Sequence, residues 1–157
     1  MSGNGAELWA LPVKDPDKAV PLLQGGPNYI AANFSPDGHW VAYESNESSR
    51  NEIYVKAFSG DRLERGGRVS PNGGYSPRWG PDGKHLYYLG LDYKLMTTTL
   101  TLGADVQATT PTALFQAPHT VDWWPSPDAK KFLFLAPLQQ RDSPFTVVLN
   151  WQQPMKR

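Results

Sequence analysis

Short runs of aromatic, β-branched and other apolar residues recur along the chain, each bounded by Pro, Gly, Asp, Asn or Ser. Runs of this length and composition predict strands. Pro and Gly interrupt every window long enough to carry a helical stripe, so the pattern predicts no helix.

The runs repeat. Phe34-Ser35-Pro36-Asp37-Gly38 precedes Val41-Ala42-Tyr43, Trp79-Gly80-Pro81-Asp82-Gly83 precedes Leu86-Tyr87-Tyr88, and Pro125-Ser126-Pro127-Asp128-Ala129 precedes Phe132-Leu133-Phe134. The prolines at 36, 81 and 127 are 45 and 46 residues apart. Glu7-Leu8-Trp9-Ala10 and Glu52-Ile53-Tyr54-Val55 keep the same interval. Pro presets φ at the first central turn position and Asp and Gly tolerate the next two, so each Pro-Asp-Gly is a tight turn between two strands.

The predicted inner strands A are Tyr29–Phe34, Tyr75–Trp79 and Thr120–Trp124, and the B strands are His39–Ser45, Lys84–Leu89 and Lys131–Ala136. The C strands are Glu7–Leu11, Glu52–Phe58, Lys94–Leu100 and Phe145–Asn150, and the weaker D strands are Ala19–Leu23, Arg65–Ser70 and Thr112–Gln116. Four strands in a period of about 40–45 residues is the arithmetic of a propeller blade. The expected fold class is all-β, a partial β-propeller of about 3.5 four-stranded antiparallel blades. Its units are a half blade at 7–27, blades at 28–72 and 73–117, and a last blade at 118–151. Ala129 breaks the turn pattern: either it takes a mildly strained left-handed φ or the third turn has another geometry.

Composition narrows the function. The 157 residues carry 15 Lys and Arg against 15 Asp and Glu, which gives no basic footprint for nucleic acid and no polybasic membrane patch. The absence of Cys removes disulfides, thiolate zinc sites and a Cys nucleophile. No apolar run has the length of a membrane-spanning helix, so no direct membrane contact is expected.

Candidate chemistry is sparse. Asp37, Asp82 and Asp128 sit on separate blades and are read as caps of their own turns. His39, His85 and His119 hold different repeat positions and no H-x-x-x-H spacing occurs, so the expectation is no metal. Neither G-x-S-x-G nor S-x-x-K is present; catalytic residues, like cofactors, are expected to be none. Most aromatic residues are read as blade-to-blade packing. Tyr29, Tyr75, Arg78, Asp122 and Trp123 begin or line the inner strands, near a channel mouth, and are the candidate ligand-binding residues.

The three Pro-Asp-Gly units resemble the TolB-like (WD40-like) β-propeller repeat. The stretch Ser70 to Leu89, then Lys94–Leu100, Pro111–Phe115, Lys130–Leu135 and Phe145–Trp151, is similar to the C-terminal blades of bacterial TolB-like propellers. Such propellers are often fused to Ser/Thr protein kinases or transcriptional regulators, so the resemblance implies an extracytoplasmic, periplasmic part of a larger protein. The expected function is a non-enzymatic interaction or scaffold module that binds protein or peptide at a propeller rim. The alternative is a substrate-gating propeller segment of a prolyl-oligopeptidase-like hydrolase, which a downstream hydrolase domain would mark. Trp151 to Arg157 reads as a natural C-terminus, against that alternative. Closed propellers need at least four blades, so the chain is expected either to be part of a longer one or to complete the ring as a homo-oligomer.

Overall fold

Turn chemistry sets the architecture. In a computed structural model of the chain, which describes residues 5–120 and 122–137, the three Pro-Asp turns close alike. The N–H of Gly38 donates to the Ser35 carbonyl (2.9 Å), that of Gly83 to Gly80 (3.1 Å) and that of Ala129 to Ser126 (2.8 Å). The donating residue takes a left-handed φ each time: +75° at Gly38, +65° at Gly83 and +53° at Ala129. Ala129 therefore adopts the glycine geometry and carries the strain of a Cβ there. Each Asp accepts the N–H two residues on: Asp37 from His39 (3.1 Å), Asp82 from Lys84 (3.0 Å) and Asp128 from Lys130 (3.1 Å).

Strands run between these turns. β1 (Leu8–Ala10) and β2 (Val20–Leu23) pair as a hairpin. β3 (Tyr29–Phe34), β4 (Trp40–Ser45), β5 (Glu52–Phe58) and β6 (Leu63–Arg68) form a four-stranded antiparallel meander. β7 (Tyr75–Trp79), β8 (His85–Leu89) and β9 (Lys94–Leu102) begin the next sheet. Its outer strand comes in two pieces: β10 (Val106–Ala108) pairs with Leu100–Leu102, and β11 (Thr112–Gln116) pairs with Lys94–Thr97. β12 (Asp122–Pro125) and β13 (Phe132–Leu135) make a second hairpin. The fold is all-β, a partial propeller of stacked antiparallel blades.

The A strands β3 and β7, the C strand β5 and the D strand β11 have the bounds that the pattern predicts. The D strand expected at Arg65–Ser70 is shifted to Leu63–Arg68, because the Ser70 hydroxyl takes over as acceptor for the Ile53 N–H (2.7 Å) and ends the backbone ladder. β9 and β10 run past the expected Leu100, since Gly103 and its neighbours fold the chain into a longer hairpin. The strand expected at Phe145–Asn150, and the tail Trp151–Arg157, lie outside the described residues.

Alternation assigns each face of a blade to a different neighbour. In β4, Trp40 and Ala42 face one way and join Ile53, Val55, Val69, Trp79, Leu86, Tyr88 and Leu100, which fill the seam between the two four-stranded blades. Val41 and Tyr43 face the other way and pack with Tyr29, Tyr54, Leu8 and Leu23 against the first hairpin. In β8, Tyr87 and Leu89 turn from that central seam toward Leu95, Ala117, Trp123, Phe132 and Phe134 of the last seam. Burying side chains of this size stabilises by roughly 1.5–3 kcal/mol each. The fold is thus a row of seams, each shared by two sheets.

Candidate functional site

The inner strands β3, β7 and β12 lie side by side and clasp one another by side chains at one repeat position. Asn33 and Arg78 each stand three residues before a turn proline. The Asn33 amide donates to the Pro77 carbonyl (3.0 Å), and Arg78 Nε donates to the Trp123 carbonyl (3.1 Å). Both acceptors stand four residues before the next turn proline, so the two clasps have the same geometry built from different groups. Trp79 Nε1 adds a bond back to the Asn33 carbonyl (3.2 Å).

Three of the five expected site residues therefore converge. Arg78 Nη2 is 2.6 Å from Asp122 Oδ1, its Nη1 donates to the Pro77 carbonyl, and its guanidinium lies 5.9 Å from the centre of the Trp123 ring. Asp122 also accepts the Trp123 N–H (2.8 Å). Trp123 is fully buried, and its indole N–H has no partner among the described residues. The guanidinium is occupied by bonds within the fold, so Arg78 holds the seam together.

Tyr29 lies apart from that group, in the first seam, whereas Tyr75 packs at the edge of the last seam that also holds Trp123. Tyr29 is buried in the first seam, with its ring edge-on to Tyr43 at 6.1 Å; burial, then the nearby Glu47 charge, raises its pKa. Tyr75 is half-buried at the rim. Its hydroxyl donates to the Leu91 carbonyl (3.3 Å), and its ring meets Tyr93 at 6.0 Å. Tyr93 in turn lies 4.3 Å from the His119 ring. Burial, followed by the neighbouring Tyr93, raises the Tyr75 pKa.

Tyr93 is a rim residue that the repeat reading passed over. It has φ +60°, in the left-handed region, and its N–H closes a turn onto the Gly90 carbonyl (2.9 Å). Gly90-Leu91-Asp92-Tyr93-Lys94 repeats the grammar of Gly80-Pro81-Asp82-Gly83-Lys84, with tyrosine in the glycine place. That internal likeness was the available signal. The strain at Tyr93 is offset by its ring contacts and by its carbonyl, which accepts the Ala117 N–H (2.9 Å).

Two buried carboxylates were also missed, because strand alternation in a repeat predicts apolar side chains there. Glu44 reaches across the central seam, accepting the Ser76 N–H (3.1 Å) and the Asn51 amide (2.6 Å). Burial raises its pKa against the pull of those two donors. Glu52 is fully buried too, but it accepts from Ser48 (2.6 Å), Arg50 (2.8 Å) and Arg68 (3.1 Å). Burial would raise its pKa, yet these donors outweigh burial and lower it. Burial likewise opposes ionisation of Asp82, but the His85 and Lys84 N–H groups and the His85 ring hold it at about 2.

Clefts open at both ends of the blades. On the Pro-Asp turn side, a cleft of about 710 Å³ runs between Pro36-Asp37, Pro81–Lys84 and Thr99–Leu102. On the opposite rim, where the D–A and B–C loops lie, a cleft of about 400 Å³ opens between Pro71–Gly73, Gly90–Asp92 and Thr110-Pro111. Among the described residues, no three His, Asp or Glu side chains converge as a metal site.

Stacked four-stranded blades with inner strands side by side define a β-propeller segment. The fold is similar to a solved structure of the "putative TolB" from Agrobacterium tumefaciens, with 16% identity, a TM-score of 0.49, and coverage of 70% of this chain and 43% of that one. The present chain thus spans less than half the length of that TolB-like propeller. No family model and no curated protein sequence matches the chain.

Proposed function

We propose that the chain is a non-enzymatic propeller module that binds a protein or peptide at the rim built from the D–A and B–C loops. The observation that carries this reading is the row of Tyr75, Tyr93 and His119 rings, partly or fully solvent-facing, beside a cleft of about 400 Å³. Amphipathic rings held in fixed orientations supply contact area at low entropic cost, and their polar atoms give direction. Tyr93 is held in a left-handed backbone conformation, which fixes where its ring stands. Arg78, Asp122 and Trp123 support this rim from below by locking β7 to β12.

Selection of a phage-displayed random dodecapeptide library on the immobilised protein tests the reading. Enriched peptides, made synthetically and labelled with fluorescein, should bind saturably. The double variant Tyr75→Ser, His119→Asp should lose at least tenfold in affinity while keeping the wild-type circular dichroism and melting temperature within a few degrees. Failure to enrich any sequence over the bare support would overturn it.

A further inference from the structure

The row of seams ends at two hairpins that are complementary halves of a blade. β1 and β2 hold the places of strands C and D: Glu7-Leu8-Trp9-Ala10 matches Glu52-Ile53-Tyr54-Val55 at the start of β5. β12 and β13 hold those of strands A and B, on either side of the third Pro-Asp turn. Among the described residues β1 pairs only with β2 and β13 only with β12, so each hairpin keeps a free edge where the other half belongs.

The repeat shows what both ends lack. Leu133 and Leu135 stand six and eight residues after their turn proline, as Tyr87 and Leu89 do after Pro81. Tyr87 and Leu89 are 9% and 3% exposed in the last seam, whereas Leu133 and Leu135 are 72% and 54% exposed. Phe34 stands two residues before its proline, like Trp79; Trp79 is 8% exposed in the central seam and Phe34 is 53% exposed. Beside Phe34 an apolar cavity of about 170 Å³ opens between Leu8 and Leu22 of the first hairpin and Ala32, Phe34 and Val41 of the first blade. Apolar side chains left in water beside two free strand edges mark faces that another sheet covers.

We propose that two copies of the chain finish each other's end blades: β13 of one copy pairs antiparallel with β1 of the second, in the blade order β12-β13-β1-β2. The register of β4 on β5, with Ala42 opposite Val55, Tyr43 opposite Tyr54 and Glu44 opposite Ile53, carries over by repeat position. It sets Leu133 opposite Ala10, Phe134 opposite Trp9 and Leu135 opposite Leu8 of the second copy. The faces then agree. Trp9 stacks on Phe134 as Tyr54 stacks on Tyr43 (5.7 Å) and covers the half-exposed Phe115 of the last seam. Leu133 and Leu135 turn the other way, join Leu8 and close the cavity beside Phe34. Trp124 stands three residues before its turn proline, the place of the clasp donors Asn33 and Arg78. Its indole N–H makes the third clasp, to the carbonyl of Ala32 of the second copy, four residues before Pro36. Two full blades and one composite per chain make three, and two chains make six, within the range of about 4–8 at which propellers close. A second copy is the occupant because each end supplies the strands and apolar side chains that the other lacks, so one two-fold pairing covers both.

The chain has no Cys, so single cysteines report the pairing. Ala10→Cys and Leu133→Cys proteins, purified separately, mixed, equilibrated and oxidised, should form a disulfide-linked dimer, and neither should do so alone. Analytical ultracentrifugation of the wild type at micromolar concentration should give twice the 17.5 kDa of one chain. Leu133→Glu and Phe34→Glu should each raise the dissociation constant at least tenfold with the wild-type circular dichroism retained, and Trp124→Phe, which removes only the N–H, should raise it less. Should the glutamate variants fold poorly, the cysteine arms still decide. A wild-type monomer with no link between the single cysteines would overturn the proposal; slow exchange of the β13 N–H groups in that monomer would assign its edge to the chain's own Phe145–Asn150. A dimer indifferent to Leu133→Glu and Phe34→Glu would overturn it too. So would a monomeric disulfide within the double variant Ala10→Cys, Leu133→Cys, which would mean that the chain closes on itself, or a ladder of larger linked species, which would mean open-ended stacking.

Discussion

The central seam and the last seam perform one task with different materials. In the central seam, aliphatic residues and two tryptophans meet, Asn33 supplies a neutral amide clasp, and Glu44 crosses as a lone carboxylate. In the last seam nearly every large contact is aromatic: Trp123 lies against Phe132 at 6.1 Å and Phe134 at 6.2 Å, Phe115 and Tyr87 approach Phe132 at 5.9 and 5.2 Å, and an ion pair replaces the amide. The clasp residue and its acceptor keep their places in the repeat while their chemistry changes. The repeat therefore specifies where a strand-to-strand bond must form and leaves open which donor makes it.

The contrast can be broken most severely at Trp123. Truncation to Ala removes a fully buried indole, and its expected cost is about 3–5 kcal/mol. Because each seam is shared by only two sheets, hydrogen exchange should rise first in β12, β13 and β7 and leave β4 and β5 protected. Uniform loss of protection across both seams would show that they melt as one unit.

The two clasps give a matched pair. Arg78→Met leaves the Asp122 carboxylate and the Trp123 carbonyl without their donor and should cost about 1–3 kcal/mol; Asn33→Ala removes a neutral donor and should cost about 1 kcal/mol. Urea denaturation reads both. Only the Arg78 effect should shrink in high salt, and equal salt sensitivity would mean that charge plays no part in the difference.

Ala129 sharpens the comparison of turns. At φ +53°, Ala129→Gly should raise stability by about 0.5–1 kcal/mol, while Gly83→Ala, at φ +65° and with only Pro36 at 3.8 Å from the new Cβ, should lower it by a similar amount. A melting series on the two variants tests the paired signs.

The smallest effect is a difference in pH response between two carboxylates. Glu44 is held above its ordinary value, so its favourable share of stability is complete below the usual carboxylate range and declines as pH rises through the raised value. Glu52 is held below its ordinary value, so its share is present above that range and is lost as pH falls through the lowered value. Above about pH 4, Glu44→Gln should therefore steepen the gain in melting temperature with pH, and below about pH 4, Glu52→Gln should flatten the fall in melting temperature as pH drops. The same slope in both variants would contradict the opposed environments.

Much of the fold was legible because turns and strands are local events. Pro-Asp-Gly fixes a reversal within four residues, and runs such as Glu52–Phe58 have no competing period. The split of the outer strand at Thr109–Pro111 was less so, since Val106–Ala108 is too short to register as a strand and depends on β9 for its pairing. Of the five candidate residues, Arg78, Asp122 and Trp123 join β7 to β12 while Tyr29 stands in another seam, a separation set by register. Tyr29 stands seven residues before its proline and Tyr75 six, so one residue of offset sends them to opposite seams. Glu44 and Glu52 were invisible because burial of a carboxylate depends on donors from Asn51, Ser76 and Arg68, which no linear pattern brings together.

The alternation along β8 has a consequence for how such a chain tolerates change. Leu86 and Tyr88 belong to one seam, Tyr87 and Leu89 to the other. A single-residue insertion ahead of Leu86 would send each set into the neighbour's packing, setting Leu86 where Tyr87 packs and Tyr88 where Leu89 packs. Length changes are thus confined to the turns, where an added residue is absorbed before the next strand begins. The 45- and 46-residue intervals between prolines, which differ by one residue, place that tolerance in the connections and leave the strands as fixed-length type.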